Sequence, residues 1–203
     1  MRTLENLQMV GGCLAFDFVN TVNTRKPTAE FDYLATFEDL LAWSEKVGLL
    51  GGVKSEALRE YAAQKPGDAS AALRDVMEAR EMLYELFSAL AAGDHPGAAV
   101  TNAFNQRLSD AFQSIHVKFG PAGTEIHFGN EEISLNEPLL PVLKSAFDVL
   151  THEDFTRIKE CPRCGWLFLD SSKNGKRKWC DMNVCGSREK SLEYYYRKTR
   201  HHA

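Results

Sequence analysis

The chain has 203 residues, 44% of them hydrophobic and 10% aromatic, which supports one large core with a small appendage and excludes a disordered polymer. Charged residues make up 26% and the net charge is −4, an ordinary balance for a globular protein. No apolar run reaches the length of a membrane span and Met1 to Glu5 lacks a secretory pattern, so a cytoplasmic location with reduced cysteines is expected.

After Gly11-Gly12, the run Cys13 to Asn20 is rich in aromatic and β-branched residues and predicts a strand. On a strand Leu14, Phe16 and Phe18 share one face, and Asp17 is a carboxylate stranded among apolar neighbours on the other. Cys13 reads as a small buried apolar residue. A polar loop over 24–35 leads to Thr36-Phe37-Glu38-Asp39, which has capping-box spacing and opens a helix ended by Gly48. Leu40, Leu41, Trp43 and Val47 form its apolar face. A second helix starts near Ser55 and stops before Pro66-Gly67.

The longest predicted helix runs from Ala69 to Ala92, closed by Gly93. Its apolar stripe contains Leu73, Val76, Met77, Leu83, Tyr84 and Phe87, and Arg80 falls inside that stripe. An isolated charge on a buried face costs too much to stay unpaired. Three readings follow. Arg80 forms an ion pair with Asp17; or it faces a pocket with Asp17 and Asn20 and binds an anionic small ligand; or it snorkels to an edge.

A further helix is expected over 98–114, with Phe104, Leu108 and Phe112 on one side. Residues 115–119 and 125–128 read as a β-hairpin across Gly120-Pro121-Ala122-Gly123. His116 and His127 fall near each other there, yet two histidines without a third ligand make a poor metal site. A third strand over 131–135 and a helix over 138–150 follow, the helix with Leu139, Leu143, Phe147 and Leu150 inward. Phe155 to Glu160 alternates as a short strand that runs straight into Cys161, so the C-terminal module is expected to dock on the body.

That module carries four of the five cysteines, as Cys161-x2-Cys164, fifteen residues, then Cys180-x4-Cys185. Four thiolates so spaced fit a closed tetrahedral structural zinc site; the bland alternative is four reduced cysteines in a core. Trp166 to Leu169 reads as a strand, Asn174-Gly175 as a type I′ turn, and Arg177 to Trp179 as the returning strand. A helix opens at Ser187-Arg188-Glu189-Lys190 and runs to about residue 200. Such a knuckle, hairpin and helix form a treble-clef-like or ribbon-like module, too small to fold without its metal. The fold class is α+β: a mostly helical N-terminal domain with a small β component, plus this module.

The run from Cys161 through Trp166-Leu167-Phe168-Leu169-Asp170, Asn174-Gly175 and Trp179-Cys180 to Cys185-Gly186 resembles the CGNR zinc finger. That finger lies at the C-terminus of bacterial proteins whose N-terminal part is the ABATE domain, and Phe16-Asp17-Phe18-Val19-Asn20-Thr21 resembles the start of that domain. The resemblance implies a ligand- or stress-responsive transcription regulator. Residues 1–155 would form the ligand-sensing or dimerisation domain and 156–203 the finger. The family's name-giving asparagine is Ser187 here; serine is a good helix N-cap, so a capping role is expected to survive.

Charge is divided unevenly. Residues 157–203 carry 12 Lys+Arg against 5 Asp+Glu, a balance of +7, and the remainder carries −11. A zinc ion held by four thiolates adds a local −2. An acidic body with a basic end is the pattern of a nucleic-acid-binding tail. The candidate contacts are Lys173, Lys176, Arg177 and Lys178 at the turn, and Arg188, Lys190, Arg197 and Lys198 on the helix. Charge does not separate DNA from RNA; the resemblance favours DNA. One small module gives modest affinity, so a homodimer is expected. The alternative is a zinc-stabilised protein- or RNA-interaction module, or a finger docked on its own acidic body. No H-E-x-x-H, G-x-S-x-G, P-loop or dinucleotide fingerprint occurs, and four thiolates leave zinc no open position, so no enzyme is expected.

Overall fold

The structure, a computed structural model, describes residues 3–27, 29–121, 123–128 and 133–200. Seven helices and four short strands follow in the order α1 (Leu14–Val19), α2 (Phe37–Lys46), α3 (Gly52–Gln64), α4 (Pro66–Ala92), α5 (Ala98–Gln113), β1 (Ile115–Gly120), β2 (Gly123–Phe128), α6 (Leu139–His152), β3 (Ile158–Glu160), β4 (Leu167–Leu169) and α7 (Ser187–Arg200). None of these helices is long and apolar enough to cross a membrane.

Helix α4 is the axis of the body. Pro66 starts it, where a missing N–H costs nothing, and Gly93 ends it. Its buried stripe of Val76, Ala79, Arg80, Leu83 and Phe87 follows the expected period and meets α1, α2, α3, α5 and β3. At α2 the capping box forms as its spacing predicts: the Asp39 amide donates to Thr36 Oγ1 at 3.1 Å, and the Thr36 amide donates to Asp39 Oδ2 at 2.8 Å.

The first apolar run is a helix, not the expected strand. A short run of apolar residues fits either form, and burial on all sides removes the periodicity that would separate them. Ala15, Phe16, Phe18 and Val19 are all buried in α1. Phe16 meets the ring of Phe87 edge-on at 4.9 Å, and Phe18 lies 5.4 Å from Trp43. As a helix, α1 puts Asp17 where its Oδ1 accepts the Gly11 amide at 2.9 Å, closing the Gly11-Gly12 turn onto the helix.

The hairpin β1–β2 pairs antiparallel from Ile115↔Phe128 to Gly120↔Gly123, and His116 stands opposite His127. Of the third strand expected over 131–135, residues 131 and 132 lie outside the described residues, while Leu135 sits buried in a turn that enters α6. Residues 155–157 form a 3-10 turn, and only Ile158–Glu160 is strand.

The C-terminal module is not a tethered bead. Ile158 and Leu167 belong to the body's own core cluster, and Trp166 and Leu169 pack against it.

Candidate metal centre and basic surface

Strands β3 and β4 pair antiparallel, Glu160↔Leu167 nearest the bend, and the first cysteine pair lies in the knuckle between them. The Gly165 amide donates to Cys161 O at 2.8 Å, and the Cys161 amide donates to Trp166 O at 2.8 Å. Gly165 has φ +73°, and a Cβ there would stand 2.9 Å from Cβ of Arg25. Only glycine meets both demands at once.

The expected hairpin inside the module is corrected. Asn174-Gly175 does form a turn, but φ is positive only at Gly175 (+60°), so it is not the expected type I′; 177–179 is not a strand, and β4 takes β3 as its partner. Side chains hold the returning segment in place of a ladder. Buried Asp170 accepts from the Ser172 and Arg177 amides, each at 2.9 Å, and the Arg157 guanidinium donates to Asp170 O at 3.0 Å and Ser172 O at 2.6 Å. Burial opposes the charge on Asp170, but the Ser172 hydroxyl, these amides and the nearby Arg157 charge outweigh it and hold its carboxyl below the usual carboxylate range.

The segment delivers Cys180, and a π-helical turn over Met182–Gly186 delivers Cys185. Asp181 caps this turn, its Oδ1 accepting the Val184 amide at 2.7 Å. The capping role expected of Ser187 therefore falls to Asp181; Ser187 Oγ instead donates back to Met182 O at 3.1 Å.

All four Sγ atoms lie within 4.8 Å of one another, with Cys164 and Cys180 at 3.5 Å and Cys180 and Cys185 at 3.7 Å. Four sulfurs at about 2.3 Å from a tetrahedral zinc stand about 3.8 Å apart, so the donor set fits one structural Zn²⁺. Phe168 is fully buried beside the sulfurs, and Trp166 and Trp179 pack around them. Cys13 lies elsewhere, and burial pushes its thiol up to about 12.

The module and body are tied by main-chain groups. The buried amide of Asn20 donates to Leu167 O at 2.8 Å, and its Oδ1 accepts the Leu167 amide at 3.0 Å. This side chain completes the ladder at the strand edge that β3 leaves open. The Trp166 indole donates to Val22 O at 2.9 Å, the Leu169 amide to Gly11 O at 2.8 Å, and the Arg25 amide to Cys164 O at 2.6 Å.

Arg80 is paired, but with Asp32 and not Asp17. Its Nη1 and Nη2 donate to Asp32 Oδ1 and Oδ2 at 2.8 and 2.6 Å, Nη1 also reaches Thr21 Oγ1 at 3.1 Å, and Nε meets Glu81 Oε1 at 2.9 Å. Glu81 in turn holds Arg25, whose guanidinium lies 3.9 Å over the ring of Tyr84. The pocket expected around Asp17, Asn20 and Arg80 is corrected accordingly: all three are committed to internal partners. A cleft of about 710 Å³ instead opens between the loop carrying Asn23 and Tyr33 and the metal centre, with Lys26, Arg163 and Arg188 on its walls. Asp32 was readable in part, as a carboxylate between Phe31 and Tyr33. Nothing local marks the clamp role of Asn20.

Of the eight candidate nucleic-acid contacts, Lys173, Lys176, Lys178, Arg188, Lys190, Arg197 and Lys198 are exposed. Arg177 departs from that set. Its guanidinium sits 4.5 Å over the Phe168 ring and donates to Trp179 O at 3.0 Å and to Cys180 O, so it braces the metal centre from within. On α7, Lys190, Tyr194 and Arg197 share one face, and Glu189 points back to Arg163 at 3.1 Å.

Comparison with known families matches residues 12–153 to ABATE, described as "Putative stress-induced transcription regulator", and residues 157–198 to the CGNR zinc finger. The chain belongs to the ABATE family. No curated protein matches it. The two matches meet at 154–156, where the ABATE body hands over to β3 and the cysteine knuckle.

Proposed function

We propose that this ABATE protein is a DNA-binding transcription regulator whose zinc module supplies the DNA-contacting surface. The observation that carries the reading is the exposed cationic face of α7. Lys190, Arg197 and Lys198 flank Tyr194 on a helix that packs chiefly on the turn before it and leaves its length open to a partner. Fourteen residues at ~1.5 Å rise give a rod of about 21 Å, a length that a major groove accepts. Lys173, Lys176 and Lys178 extend the positive surface along the Asn174-Gly175 turn, where they meet phosphates rather than bases.

In this reading the zinc does no chemistry. Four thiolates saturate it, and its work is to fix α7 and the basic turn against each other. The N-terminal domain sets when the finger binds, by dimerising and by taking a small effector. The cleft beside the metal centre supports an effector site, because Arg188 borders both the cleft and the cationic surface.

A salt titration of binding to duplex DNA tests the proposal. If all seven exposed cations touch phosphate, log affinity falls against log salt with a slope of about −6. Lys190→Glu with Arg197→Glu lowers affinity and flattens the slope. No binding at low salt rejects DNA in favour of a protein partner.

A further inference from the structure

The cleft beside the metal centre has a composition that selects what enters it. Asn23, Lys26 and Tyr33 stand on its loop wall, and Arg163, Trp166 and Arg188 on its finger wall. Most polar groups there already hold partners. Lys26 pairs with Glu160, and Arg163 Nη1 meets Glu189 Oε2 at 3.1 Å. Asp181 is taken up in capping the Val184 amide at 2.7 Å. Thr24 Oγ1 donates to Lys26 O at 2.7 Å, and the Trp166 indole donates to Val22 O at 2.9 Å. Asn23 Oδ1 accepts the Glu30 and Phe31 amides at 3.0 and 2.9 Å, which leaves Nδ2 as the end that can serve a ligand.

What remains are donors. The exposed Arg188 guanidinium forms no ion pair among the described residues, and Asn23 keeps its amide N–H groups. Tyr33 is only 9% exposed yet borders the cleft, and among the described residues its hydroxyl makes no hydrogen bond. Open donors beside occupied acceptors call for a ligand rich in oxygen lone pairs, and the planar fork of an arginine matches a carboxylate. Between these groups the walls are flat and apolar, built from the Trp166 and Tyr33 rings with Pro27 and Pro162. We propose that the cleft takes a small aromatic carboxylate, its carboxylate held by Arg188, its ring against Trp166, and a ring hydroxyl facing Asn23 and Tyr33.

Size and charge agree with that class. The cleft volume of about 710 Å³ falls within the range of small-molecule sites. The finger carries a balance of +7, and the −2 of a zinc held by four thiolates leaves it cationic, so the finger wall attracts an anion. The consequence of binding rests on the regulator reading above. Arg188 is one of the cations offered to DNA phosphate, so a filled cleft withdraws it, and ligand and DNA lower each other's affinity.

Calorimetry of the zinc-loaded full chain with 4-hydroxybenzoate as the probe is the test. The expected result is saturable binding with a dissociation constant on the order of 1 mM, as suits a ligand of this size. The neutral 4-hydroxybenzamide, which keeps the ring, and acetate, which keeps only the charge, bind at least about tenfold more weakly. Arg188→Gln weakens the acid by about tenfold and leaves the amide unchanged, with zinc content and circular dichroism as in wild type because the position is exposed. Lys190→Gln, on the same helix but outside the cleft, binds the acid as wild type does. No saturable binding, an amide or acetate equal to the acid, or an Arg188→Gln variant equal to wild type overturns the inference. So does DNA affinity that saturating acid leaves unmoved. Failure here is separable from failure of the regulator reading. A chain that binds the acid through Arg188 and ignores DNA removes that reading alone, and a chain that binds DNA but not the acid removes this inference alone.

Discussion

Asn20→Ala puts the joint between body and finger to the test. The Asn20 amide makes two hydrogen bonds to the main chain of Leu167, at 2.8 and 3.0 Å, and the residue is 1% exposed. Truncation leaves a buried N–H and a buried carbonyl without partners, and each such group costs about 1–3 kcal/mol. With some relaxation the loss is about 2–5 kcal/mol, a large share of the usual total of about 5–15 kcal/mol. For a chain of this length that lowers Tm by about 5–15 °C. Urea unfolding of the zinc-loaded protein, followed by circular dichroism and by zinc release, reads the effect. In the wild type both signals move together, because Leu167 sits in the core of the body and its neighbours hold the metal. In the variant zinc release comes first. Asn20→Asp discriminates further: it keeps an acceptor for the Leu167 amide but sets a carboxylate against the Leu167 carbonyl, so it recovers little. A loss under about 1 kcal/mol, or an Asp variant equal to wild type, would show that the clamp is not what joins the parts.

Three other outcomes follow from the same geometry. Arg80→Ala strands Asp32 beside Thr21 and costs about 3 kcal/mol, toward the low end for a broken buried pair because the Asp32 side chain keeps 30% exposure. In double-mutant cycles Arg80 couples to Asp32 and adds independently with Asp17; coupling to Asp17 instead would contradict the structure. Cys180→Ser removes one of the four zinc donors, and atomic absorption finds the purified variant short of one zinc per chain; full retention of zinc would refute the four-sulfur site. Cys13, with its thiol pushed up to about 12 by burial, is a thiolate in only about one molecule in ten thousand at pH 8, so iodoacetamide leaves it unmodified in the folded protein, and rapid labelling would count against its burial.

The zinc ligands were legible because ligand spacing is a local property of the chain, and the four sulfurs converge as the two cysteine pairs require. The Thr36 capping box and the Gly93 end of α4 were legible for the same reason, each fixed within a few residues by its own hydrogen bonds, whereas α4 starts at Pro66 and not at the expected Ala69. What escaped was set at long range. The run at Phe16 to Val19 has no alternation to betray a helix, since α4, α6 and β4 surround it on every side. Arg80 announced that it needed an anion, but the choice between Asp17 and Asp32 depends on how the loop before α2 folds back over α4. The second strand expected at Arg177 was displaced by β3, which reaches β4 first, and Asp170 then holds the returning chain by its side chain. Arg177 itself shows the limit of reading charge from sequence. A cation in a basic run is drawn inward here by the ring of Phe168 and two free carbonyls.

Genomic footprinting in living cells, comparing the wild type with Lys190→Glu/Arg197→Glu, tests the regulator reading most directly. Both positions are exposed, so the variant keeps its zinc and its fold. The account predicts discrete protected sites for the wild type and their loss in the variant. Identical footprints, or no wild-type sites at all, would contradict it.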